Sequence, residues 1–173
     1  MSFFPTDPKK IRARIRRYER ELQKEQDKFG YIGDGYGKRY LLGPLYLLMG
    51  DVEGAVKSFE WFEQTFPDDI GEPVHFLCCS LALYRSGDTA QAAQRLRQTM
   101  LSNLYLIPHL LGREQAELDI WHSTNYEQKG FLEYVPSEIW AGQLAGLSEV
   151  MAGAINRFWG VRLIETIRCE VDL

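Results

Sequence analysis

Residues 39–67 read RYLLGPLYLLMGDVEGAVKSFEWFEQTFP. Leu42, Gly43 and Tyr46 share one helical face, and Ala55 and Phe59 share another. Gly50-Asp51 between the two runs is a turn signal, and Pro67 is a stop, because proline cannot continue a helix. The stretch therefore predicts a helical hairpin. Two antiparallel helices approach closely only where small residues meet, so Gly43 is expected to lie against Ala55, with Tyr46 and Phe59 filling the space beside them. Pro44 falls inside the first helix, which implies either a kink or a later start.

The same signals return further on. Gly87-Asp88 follows Gly50-Asp51 by 37 residues. On that register Leu83 takes the place of Tyr46, Ala92 of Ala55 and Leu96 of Phe59. Ser80 replaces Gly43, and Cys79 replaces Leu42. Leu104 stands where the closing proline would be. A second, degenerate unit is thus expected at 73–105, after a linker through Ile70-Gly71-Glu72, with Ser80 packed on Ala92.

Arg39-x-x-Leu42-Gly43-x-x-Tyr46, Ala55-x-x-x-Phe59 and Pro67 together resemble the tetratricopeptide repeat, whose pattern runs W-x₂-L-G-x₂-Y, A-x₃-F, P over about 34 residues. Arg39 departs from the pattern at the tryptophan. The resemblance covers residues 36–105. It implies an all-α stack of antiparallel hairpins wound into a superhelix, with the first helix of each repeat lining a concave groove that grips partner peptides or helices. On this sequence the groove positions are Tyr40, Leu47 and Leu48 in the first repeat, and Val74, Leu77, Leu81, Tyr84 and Arg85 in the second. Chaperone-binding members clamp a terminal carboxylate with Lys, Asn and Arg; Tyr40 and Pro44 occupy the corresponding places here, so an apolar segment or helix is the better fit. The competing expectation is that the third unit or the last helix folds back and fills the groove.

The flanks complete a single helical domain over 1–173. Asp7-Pro8 is a cap followed by a first-turn proline, and Ile11, Ile15, Tyr18 and Leu22 give a narrow apolar stripe ending near Gly30, so residues 8–29 form a helix. Residues 106–135 read as a degenerate third unit or loop, with Pro108 opening a helix that carries Leu111-Gly112. Residues 136–173 read as a C-terminal helical cap. There Pro136-Ser137-Glu138 opens a run of Trp140, Leu144, Leu147, Met151, Ile155 and Phe158. The tail 161–173 suits a helix, although its alternation also fits a strand.

Composition sets the class. The chain of 173 residues is 45% hydrophobic and 25% charged, ordinary for a globular domain with its own core. No apolar run is long enough to span a bilayer. MSFFPTDPKKIRAR lacks the form of a signal peptide, so a cytoplasmic location is expected. Three cysteines, two of them adjacent, do not make a disulfide framework. Charge is uneven: residues 1–20 carry seven basic side chains against two acidic, a net of +5, and the remainder carries thirteen against twenty-two, a net of −9.

Several motifs invite chemistry. YIGDGYGKRY at 31–40 looks like a phosphate loop, but Ile32 stands where the first glycine of a P-loop belongs, Arg39 follows the lysine, and no strand precedes it. It reads as a bend joining two helices. His75, Cys78 and Cys79 lie within one helical turn, yet Cys79 falls at a core position and buried cysteine is commonly a small hydrophobe. Asp119 and His122, with Tyr126 nearby, could orient a general base, but nothing supplies a nucleophile elbow or oxyanion loop. No catalytic, cofactor or metal site is assigned. The expected function is a non-catalytic protein-interaction module, an adaptor or chaperone-like scaffold. Its partner would be a protein or peptide, a second copy of the chain among the candidates. The alternatives are docking of nucleic acid or an anionic surface through the basic first helix, and an enzyme using Asp119 and His122; Glu19, Glu21, Glu25 and Asp27 neutralise the second half of that helix, so a solvated face is the plainer expectation and nucleic acid is not the expected partner.

Overall fold

The structure, a computed structural model, describes residues 4–110, 116–117 and 125–135. Among these every regular element is helical: α1 (Pro8–Phe29), α2 (Lys38–Leu48), α3 (Val52–Thr65), α4 (Pro73–Ser86), α5 (Thr89–Ser102), the short α6 (Leu106–Leu110), and two 3-10 segments, Asn125–Glu127 and Lys129–Tyr134. No described helix is long and apolar enough to cross a membrane.

Local chemistry sets the boundaries. Asp7 caps α1 by accepting from Lys9 N at 2.8 Å, with Pro8 in the first turn, and Gly30 closes the helix in the left-handed conformation. Ile11, Ile15 and Leu22 bury the stripe against Leu42 and Leu45 of α2. Asp51 and Asp88 cap α3 and α5 by accepting from Gly54 N and Gln91 N.

The internal repeat is visible bond for bond. Val52–Thr65 and Thr89–Ser102 begin and end 37 residues apart. Asp51 N donates to Tyr46 O at 3.0 Å, and Asp88 N to Leu83 O at 2.9 Å. Gly50 N donates to Leu47 O, and Gly87 N to Tyr84 O. Gly50 and Gly87 have φ of +73° and +95°, which an L side chain would resist. The two helix-to-helix turns are therefore the same device used twice.

Packing inside the hairpins differs. Ser80 Oγ donates to Ala92 O at 2.8 Å, placing that pair together as expected. Gly43 is different: the space beside its Cα is filled by the Phe59 ring, so its nearest neighbour is that side chain and not Ala55. Glycine is needed here for an aromatic ring, because a methyl group would overlap it.

α2, α3, α4 and α5 pack each on the next, and α2 also touches α4. Their shared core holds Leu47, Ala55, Phe59, Leu77, Leu81, Ala92 and Leu96. Pro44 lies inside α2, which begins at Lys38, and Pro108 lies inside α6 where the sequence suggested a helix start. Leu111-Gly112, the Asp119/His122 pair, the helix from Pro136 and the tail 161–173 lie outside the described residues.

Candidate functional site

The glycine-rich bend is a fixed corner. Asp34, buried and at φ +37°, directs one carboxylate oxygen at Lys38 N (3.0 Å) and the other at Arg39 N (2.8 Å). The N-terminal amides of α2, which a phosphate would need, are thus capped by the chain's own carboxylate. Glu25 of α1 accepts from Gly33 N and Asp34 N, and these bonds with Lys38 nearby hold its carboxyl below the usual range.

Arg39, at the position where the repeat pattern has tryptophan, ties this corner to the loop before α4. Its guanidinium reaches Asp69 at 2.9 Å and Asp34 at 3.5 Å, and stacks over Phe66. Tyr40 Oη donates to the same Asp69 at 2.7 Å. Burial, and the bond to Asp69, push the Tyr40 phenol up to about 12.

Pro44 has no N–H for the carbonyl four residues back, which belongs to Tyr40. His75 of α4 meets that need: its ring hydrogen-bonds the Tyr40 main chain, across from α2 to α4. The ring is buried between Tyr40, Phe59 and Phe62, and its Nδ1 has no partner. Burial outweighs the bond and lowers the imidazole to about 4, so the ring is neutral at physiological pH.

Over this corner lies a cleft of about 510 Å³. α2 contributes Tyr40, Leu41 and Pro44 to it; Val74 and His75 come from α4, and Phe131 and Tyr134 from the second 3-10 segment. Glu72, whose carboxyl is raised by burial, sits at its edge. Tyr36 is 88% exposed and Tyr134 48% exposed, so the mouth carries aromatic rings open to solvent.

Asn103, a residue the sequence reading passed over, holds the 3-10 wall in place. It is 1% exposed. Its Nδ2 donates to Asn125 O and Gln128 O, and its Oδ1 accepts from Tyr105 N and Leu106 N. Leu104 N adds a bond to Tyr126 O at 3.0 Å. One side chain therefore caps α6 and clamps a loop more than twenty residues away. The available signal was a polar residue immediately before an apolar helix start.

Of the eight expected groove residues, Tyr40 and Val74 line the cleft. Leu47, Leu77 and Leu81 are buried in the core, and Leu48 and Tyr84 pack on it half-buried together with Phe131, Leu132 and Val135. Arg85 is half-buried on α4. Residues 131–135 thus lie on the same cluster as Leu77 and Leu81. Cys78 and Cys79 are buried thiols, pushed up by burial, Cys79 to about 12. Among the described residues no three metal-ligating side chains gather. No family model, no curated protein and no solved structure matches the chain.

Proposed function

We propose that this chain is a tetratricopeptide-like interaction module that holds an aromatic or aliphatic side chain of a partner protein in the cleft between α2, α4 and the 3-10 segment. The observation that carries the reading is the cleft itself: solvent-exposed Tyr36 and Tyr134 flank a mouth that leads to Val74, Leu41 and Phe131. Aromatic rings give large contact area at low entropic cost, which is why they anchor protein interfaces. His75 is neutral near pH 7 and Tyr40 stays protonated, while Glu72 is raised by burial.

Selection of a random peptide-display library on the full chain tests this. Enriched peptides should share an apolar or aromatic anchor, and their binding should be lost in folded Leu41→Glu and Tyr134→Ala variants. Undiminished binding by both folded variants would remove the cleft from the interface. Leu47 and Leu81 are unsuitable for this purpose: both are buried, and a charge there would unfold the protein.

A further inference from the structure

Three of the four acidic residues of α1 face the body and most of its basic residues face away from it; the fourth, Asp27, is exposed one turn beyond Lys24 and accepts from Gln23 Nε2 at 2.7 Å. Glu19 accepts from the Tyr46 hydroxyl of α2. Glu21 and Glu25 both lie 3.5 Å from Lys38, and Glu25 also binds the amides of the glycine-rich bend. These carboxylates face the body. Lys9, Arg12, Arg16, Arg20 and Lys24 are all exposed, and none is within ion-pair distance of a described carboxylate. Spaced three, four, four and four residues apart, they form one ridge about 22 Å long opposite the buried stripe. Lys10 and Arg17 flank it, Arg17 with a long 3.9 Å contact to Glu21.

We infer that this ridge docks on the sugar-phosphate backbone of a nucleic acid duplex, without reading sequence. A cationic row of this length answers a row of phosphates, and the binding would come from counterion release. A membrane fits less well. Surface-seeking helices insert a free apolar face into lipid, and here Ile11, Ile15 and Leu22 are spent on α2. Single strands fit less well, because their binding grooves stack bases on aromatic rings and the ridge holds none. The acidic body, net −9 outside residues 1–20, opposes binding only at short range, since at physiological salt the field of exposed charges decays over about 8 Å.

The test is fluorescence anisotropy of the full chain against two unrelated ~20-base-pair DNA duplexes and one RNA duplex of similar length. Similar affinity for the two DNA sequences is expected. If about four phosphates are neutralised, affinity should fall about a hundredfold between ~50 and ~200 mM salt. Arg12→Gln/Arg16→Gln/Arg20→Gln, with helicity unchanged by circular dichroism, should weaken binding at least tenfold, while Lys57→Gln on α3 should not. No duplex binding at ~50 mM salt overturns the inference, as does binding that the triple variant retains. So does capture by phosphatidylserine vesicles, or a salt-sensitive dimer, in the absence of duplex binding.

Discussion

Ser80 and Gly43 occupy the same position in the two hairpins, and each is matched to what lies across from it. Ser80 gives its hydroxyl to the Ala92 carbonyl, 2.8 Å away. Gly43 leaves room for the Phe59 ring. Phe59 corresponds to Leu96, so the bare glycine faces the larger side chain and the serine belongs to the hairpin with the smaller one. At this one position the smaller of the two residues goes with the larger of the two side chains, as close packing favours.

The two hairpins should therefore tolerate exchange in pairs. Gly43→Ser alone is expected to cost about 2 kcal/mol or more through overpacking, and Phe59→Leu alone about 1 kcal/mol or more through the lost contact. The double variant should be more stable than the sum by at least ~1 kcal/mol in urea denaturation. Strict additivity would show that this contact does not set the spacing of α2 and α3.

His75 makes stability depend on pH. Its folded value of about 4 lies below the ordinary 6.5, so the unfolded chain binds the extra proton in between. The stabilisation is present above about pH 6.5 and is lost as pH falls toward 4; the gap corresponds to roughly 3 kcal/mol. Asp69, whose carboxyl is lowered, titrates further down, and Arg39, whose guanidinium is raised, stays charged throughout. His75→Phe should be less stable than the parent at pH 7, having lost the bond to Tyr40, but its stability should change less between pH 6.5 and 4. Equal slopes for parent and variant, by denaturant titration at each pH, would contradict the burial of a neutral ring.

Arg39 acts as a planar fork and not as a point charge. Arg39→Lys keeps the charge but cannot reach Asp34 and Asp69 together, nor stack as fully on Phe66. A loss of about 1 to 2 kcal/mol is expected in thermal unfolding. A loss under about 0.5 kcal/mol would place the bridge among ordinary surface pairs.

Asn103 separates capping from clamping. Asn103→Asp keeps an acceptor for the α6 amides but has no donor for Asn125 O and Gln128 O. Amide exchange should quicken across residues 125–135 while α4 and α5 stay protected. Asn103→Ala removes both functions and should cost about 2 kcal/mol. Unchanged exchange in the Asp variant would show that something else holds the 3-10 wall.

Much of the helical frame was legible because its signals are local. Asp7-Pro8, Gly50-Asp51 and Gly87-Asp88 each encode a turn or cap within a few residues, and the 37-residue offset follows from them. What faces Gly43 was not legible: a small residue announces close approach but not the atom that approaches. Asp34 as the partner of the first α2 amides was not legible either, since the N-cap position itself is Gly37 and the carboxylate reaches in from three residues further back. The clamp by Asn103 depends on residues 125–128, and the burial of Leu77 and Leu81 is a matter of tertiary packing. Periodicity marks a face as apolar but does not say whether solvent, a partner or the same chain covers it.

The most direct measurement is a two-dimensional NMR titration of the full chain with the tightest peptide from the display selection. Shift changes should concentrate at Tyr36, Tyr40, Leu41, Val74, Phe131 and Tyr134, and vanish in the folded Leu41→Glu variant. Changes confined to the outer face of α1 or to α5, with the cleft silent, would contradict a partner seated between α2, α4 and the 3-10 segment.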